Sequence, residues 1–169
     1  MEEAVAFIPN VNLVAALGLK PCWLVLTGRR MIFSVGYEGK GTQYMSTLGA
    51  IAGTIAKVME TPREMGPEIA GLEELVADAR NITVEYNDVV RLALKRRVGG
   101  GYLRVDHAKP DLRISTIIAG AAPPSAYMEA GKAQGMTHRE LIKEYVRWVH
   151  DCFRLALPPA NYRAAIWKL

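Results

Sequence analysis

Apolar and aromatic positions dominate residues 21–27 and 31–37, where Trp23, Val25, Leu26, Ile32 and Phe33 give two runs of β-type composition. The break between them, Thr27-Gly28-Arg29-Arg30, suits a short hairpin. Three glycines within 36–41 then end the second strand in a loop. The period changes after that. Tyr44, Leu48, Ile51, Ile55, Val58 and Met59 recur at helical spacing, which predicts a helix over 43–60 that Pro62 terminates. Gly49 and Gly53 fall on one face of it, where another backbone can approach closely, either the sheet or a second helix. A shorter helix is expected over 66–79, with Pro67 in its first turn.

From residue 82 the period is 2. A short strand over 82–86 leads through a turn at Asn87-Asp88 into 89–97, where Val90, Leu92 and Leu94 alternate with Arg91, Ala93 and Lys95. A glycine turn at 98–101, a strand over 102–107, a loop at 108–111 and a further strand complete an antiparallel meander with one buried face. The small, Pro/Gly-rich residues of 119–135 read as a loop. Thr137 and Glu140 form a capping box ahead of a broad apolar stripe, Leu141, Ile142, Tyr145, Trp148, Val149, Cys152, Phe153 and Ala156. Pro158 and Pro159 end this helix, and a short helical tail follows. Pro9, Asn10 and Asn12 interrupt the first twenty residues, which carry no assignable pattern.

Length and composition narrow the class. A chain of 169 residues, 50% hydrophobic and 22% charged, fits one ordinary globular domain. A net charge of +4 is a mild excess, far below the charge density of a dedicated DNA-binding module. Cys22 and Cys152 stand apart, outside any CxxC or Cys/His cluster, and read as two buried or half-buried thiols of a reducing cytoplasm, with a disulfide between them as the alternative. With its acidic, interrupted start no signal peptide is expected, and the apolar stretch 44–59 reads as too short and polar to span a bilayer.

Candidate chemistry is sparse. His107, His138 and His150 are scattered and show no metal-ligand spacing. Asp106 and His107 are the one local pairing that could tune an imidazole, although adjacent strand residues point to opposite faces. Ser34 and Ser46 lack a nucleophile elbow, and "GYEGKG" lacks the ending and spacing of a phosphate loop. The basic residues are more informative. A four-residue turn at 98–101 places Arg97 opposite Tyr102 and Lys95 opposite Arg104. Pairing Val105 with Leu112 then sets Arg104 opposite Arg113. This register lines up Lys95, Arg104 and Arg113 across three strands, as a solvated face or a site neutralised by an anion or acidic partner. With Tyr102 the only aromatic nearby, a nucleic-acid surface is not expected.

The order of these elements resembles the prokaryotic pleckstrin-homology-like (PH-like, GRAM-type) domains. Leu26, Thr27, Arg30, Ile32 and Phe33 fit the pattern of their first hairpin, and "LGAIAGTIAKVM" is similar to the Gly/Ala-rich helical insertion that follows it. Leu72, Leu75, Asn81, Ile82, Tyr86, Asp88, Val89 and Leu94 fit the next passage. The resemblance implies an α+β fold: a bent antiparallel sheet or partly open barrel capped by a C-terminal amphipathic helix. The domain would cover 21–157, with a helical insertion at 43–79, an unassigned segment 1–20 and a tail 158–169. It also implies a non-enzymatic, cytoplasmic binding or assembly module, without cofactor or metal, that binds a protein partner or self-associates. The alternative is peripheral binding to anionic lipid headgroups through Lys95, Arg104, Arg113 and Arg29, with Arg30 chiefly structural. A second alternative is a small α+β enzyme using Asp106 and His107.

Overall fold

The computed structural model of the chain describes residues 2–15, 18–35, 71–109, 112–118, 129 and 131–169. The helix expected over 43–60, with Gly49 and Gly53, lies outside these residues, as do the glycine loop at 36–41 and most of the loop expected over 119–135. Eight strands form one curled, mixed sheet. They are β1 (Ala4–Ala15), β2 (Gly18–Thr27), β3 (Arg30–Ser34), β4 (Ile82–Glu85), β5 (Val89–Arg97), β6 (Gly100–His107), β7 (Arg113–Ile118) and β8 (Ile166–Lys168). The spatial order is β4-β3-β2-β1-β7-β6-β5-β8. Helix α1 (Leu72–Ala77) precedes β4; α2 (His138–Ala156) and α3 (Pro159–Ala164) lie between β7 and β8.

Residues that the alternation left unassigned hold the sheet together. β1 pairs with β2 on one side and β7 on the other, and so joins the two halves. Its register shifts between Ile8 and Val11, where Pro9 has no N–H to offer the ladder. The Pro9 carbonyl, buried in this bulge, accepts a hydrogen bond from Tyr145 Oη of α2 at 3.1 Å. The bulge offsets the period of β1, which is why the apolar residues on its two sides do not read as one strand.

Cys22, Leu24 and Leu26 of β2, Leu92 and Leu94 of β5 and Leu103 and Val105 of β6 turn inward and form one core with α2, whereas Val90, expected on the buried side, is 72% exposed beside the register shift at the start of β5. Leu24, Leu26, Phe33, Leu94, Leu103, Val105, Tyr145, Val149 and Phe153 are buried there. Burying each such side chain contributes about 1.5–3 kcal/mol. Gly101 is where α2 comes closest to β6, since a Cβ there would lie 3.3 Å from Val146 Cγ2. The capping box forms as the sequence predicts: Thr137 Oγ1 accepts from Glu140 N, and the Glu140 carboxylate accepts from Thr137 N. Trp148, expected in the apolar stripe, is instead partly exposed and leans on Tyr145. On the other face of the sheet, Leu75 of α1 packs on Val25 and Ile32 in a small second core.

The tail does more than form a helix. After Pro158 and Pro159, α3 brings Asn161 to the 3-10 turn Tyr86–Asp88, where its Nδ2 donates to the Tyr86 carbonyl at 2.8 Å. The chain then adds β8 parallel to β5, so the sheet is mixed and not purely antiparallel. His150 of α2 anchors this return: its Nε2 lies 2.9 Å from Tyr162 Oη, and its ring meets Trp167 edge-on at 4.8 Å. Burial lowers the His150 pKa, more than the Asp151 carboxylate beside it raises it. A depressed imidazole binds its proton less readily folded than unfolded, so its contribution to stability is present above about pH 6.5 and lost as the pH falls below that. The urea midpoint is therefore expected to drop between pH 7 and pH 5, and to drop less in His150→Gln. Equal drops would remove His150 as the cause.

Candidate anion-binding face

The outer face of β5–β8 is where the described cations gather. Alternation along β5 turns Arg91, Ala93, Lys95 and Arg97 outward. The same parity exposes Tyr102, Arg104 and Asp106 on β6, Arg113, Ser115 and Ile117 on β7, and Ile166 and Lys168 on β8. Among the described residues, six cations thus share this face with one carboxylate.

The register differs from the expected one by two residues. Only Val98 and Gly99 form the β5–β6 turn, and Arg97 pairs with Gly100, not with Tyr102. Gly100 has φ +142°, a conformation that favours glycine and closes the tight turn. Lys95 therefore lies opposite Tyr102, Arg104 opposite Ala93 and Ser115, and Arg113 opposite Asp106. The row Lys95–Arg104–Arg113 does not form. A slip of two leaves every side chain on the same face, so hydrophobic alternation cannot distinguish the registers. Charge can: the observed pairing replaces an Arg104–Arg113 opposition with Asp106–Arg113.

Asp106 organises one end of the face. Arg104 grips it through two bonds, Nε to Oδ1 at 2.9 Å and Nη2 to Oδ2 at 3.0 Å. Arg113 Nε adds a contact to Oδ1 at 3.3 Å, and Arg91 lies opposite on β5. The hydrogen bonds from Arg104, with the charges of Arg104, Arg113 and Arg91, hold the Asp106 carboxyl below the usual carboxylate range. Toward the other end, Lys95 and Lys168 are direct neighbours on parallel strands. The Arg97 guanidinium sits over the Tyr102 ring, 5.2 Å from its centroid. Among the described residues, Arg91, Lys95, Arg97 and Lys168 have no carboxylate within ion-pair distance. These four are the cations left over for an external anion.

Arg29 and Arg30 lie elsewhere and are engaged. Arg30 reaches Glu2 at 2.7 Å and Glu85 at 3.2 Å, and its hydrogen bond to Glu2 raises its pKa further. Thr27 Oγ1 accepts from the amides of Arg29 and Arg30 and donates to Glu2 Oε1 at 2.6 Å. Arg29 Nε pairs with Glu85 at 2.8 Å while the side chain stays largely exposed. The "TGRR" turn is thus a clasp between β3, β4 and the first residues of the chain.

Asp106 and His107 do not meet. His107 Nδ1 accepts from the Lys109 amide at 2.9 Å, and its Nε2 faces Asp88 at 3.7 Å, away from the arginines around Asp106. Cys22 and Cys152 are free and buried, and burial pushes the Cys22 thiol up to about 12. Among the described residues no group of three His, Cys, Asp or Glu side chains could hold a metal, and no helix is long and apolar enough to cross a membrane.

Where β1 meets β7, the outer face sinks into a cavity of about 500 Å³ lined by Asn12, Leu19, Arg97, Tyr102, Ile117 and the Gly99–Gly101 backbone. Exposed aliphatic side chains surround it: Leu19 is 45% exposed, Val14 opposite it 48%, and Val98 at the hairpin tip 99%. As site residues, Arg91, Arg97, Asn12 and Lys168 were not picked out by the sequence. Asn12 sits in the interrupted first segment, and Lys168 in a strand of three residues, too short to show a period. No protein-family model matches this sequence, and no curated protein is significantly similar to it.

Proposed function

We propose that the protein is a non-enzymatic, PH-like binding module that docks on anionic lipid headgroups through the outer face of β5–β8. The observation that carries this reading is the charge imbalance of that face, where, among the described residues, Asp106 stands against six cations. The PH-like assignment is supported by the order of motifs and by the curled sheet with its C-terminal helix, the architecture that the resemblance implies. Lipid is favoured over an acidic protein by Val14, Leu19 and Val98, exposed around the cavity that Arg97 borders. Peripheral attachment needs two signals, and electrostatic attraction plus shallow aliphatic insertion supplies both. The protein-partner and self-association reading would place its contacts at the sheet edges, β4 and β8, and on the helix expected over 43–60, which lies outside the described residues.

Sedimentation with vesicles tests the reading. The protein is expected to pellet with phosphatidylglycerol-containing vesicles at about 0.1 M salt, and not with pure phosphatidylcholine. Binding should fade toward about 1 M salt, where the screening length falls from about 10 Å to about 3 Å. Absence from the pellet at low salt would end this reading.

A further inference from the structure

The cavity at the β1–β7 seam holds a group that the fold itself does not explain. Asn12 is only 9% exposed, lines the cavity, and its carboxamide makes no hydrogen bond to another described residue. The amide is open to the cavity and has no partner among the described residues, and an apolar side chain of similar shape would suit the site at least as well if packing were its sole role. The surroundings are of two kinds. Leu19 and Ile117 offer aliphatic wall, whereas Arg97 offers a guanidinium without a carboxylate partner among the described residues. Stacking on Tyr102 holds that guanidinium in place and leaves its in-plane N–H donors available. The volume, about 500 Å³, is within the range of sites that enclose a small molecule.

We propose that this cavity binds one anionic amphiphile, a phosphate ester carrying an apolar portion. Its phosphate meets Arg97, its ester or hydroxyl oxygens take the Asn12 amide, and its apolar portion lies along Leu19 and Ile117. This deepens the proposed membrane docking and rests on it, since the face would then gather headgroups while the cavity selects a single lipid.

Dihexanoylphosphatidic acid, kept monomeric, is titrated into the full chain by calorimetry, with sn-glycerol 3-phosphate and inorganic phosphate as comparison ligands. Saturable binding is expected for the lipid, at least tenfold tighter than for either comparison ligand. Asn12→Leu should weaken it tenfold or more without lowering the unfolding temperature, and should leave the net charge and the low-salt vesicle pellet unchanged. Asn12→Ala gives the same comparison if leucine crowds the strand. No saturable binding by the wild-type chain, equal affinity in the Asn12 variants, or equal affinity for either comparison ligand would overturn the site. Vesicle binding that persists while monomeric lipid fails removes the cavity and keeps the face. Monomeric lipid that binds while vesicles fail keeps the cavity and removes membrane docking.

Discussion

Truncating Phe153 to alanine is expected to lower stability by about 3–5 kcal/mol, the cost of removing a fully buried aromatic side chain and leaving a cavity. Phe153 is 0% exposed and lies on the face of α2 that closes the core. Its ring also meets Trp167 of β8 at 5.9 Å, so the same truncation loosens the return of the tail onto β5. For a chain of this size each kcal/mol corresponds to about 2–4 °C, so the melting temperature should fall by on the order of 10 °C. Leu155→Ala, two residues further along α2 but largely exposed, is the matched control and should change stability by less than about 0.5 kcal/mol. Thermal or urea unfolding of the two variants decides the matter. Equal losses would mean that α2 does not close the core through Phe153.

Reversing Lys95 and Arg97 together to glutamate is expected to abolish the vesicle binding proposed above. A cation at an anionic surface contributes about 1 kcal/mol, and a reversal changes the charge by two. The pair should therefore weaken binding by about 4 kcal/mol, close to a thousandfold. Neither side chain has an ion-pair partner among the described residues, so the loss should come without unfolding, which circular dichroism would check. Arg29→Glu provides the contrast. Arg29 carries the same charge but stands at the β2–β3 turn, beside Glu85, and its reversal should leave vesicle binding almost unchanged. A larger effect at Arg29 than at Lys95 and Arg97 would move the contact to the other end of the molecule.

How far the fold could be read in advance follows from what side-chain patterns record. Period 2 records which face a residue occupies, and Leu92, Leu94, Leu103 and Val105 all turn inward as their spacing predicts. It does not record which residue lies opposite. The place of Arg104 therefore depended on the length of one turn, and that length depended on the conformation of Gly100. The bulge at Pro9 broke the period of β1, the longest strand in the sheet. β8 was illegible for another reason: three residues cannot show a period, and its place beside β5 is set by packing of Trp167 on α2 and α3. The basic character of the face was readable, whereas the cavity was not, because Asn12, Arg97 and Ile117 meet only after β1 pairs with β7.

That pairing is narrow. Only Val11, Asn12 and Leu13 are registered against Ile118, Ile117 and Thr116, and about a hundred residues of chain separate the two strands. Closing so long a loop costs entropy before its contacts form, so this seam should be among the last parts of the sheet to assemble. It is also the line along which the sheet would part under tension, into β1–β4 and β5–β8. A molecule lodged between Asn12 and Ile117 would sit across that line and act as a rivet.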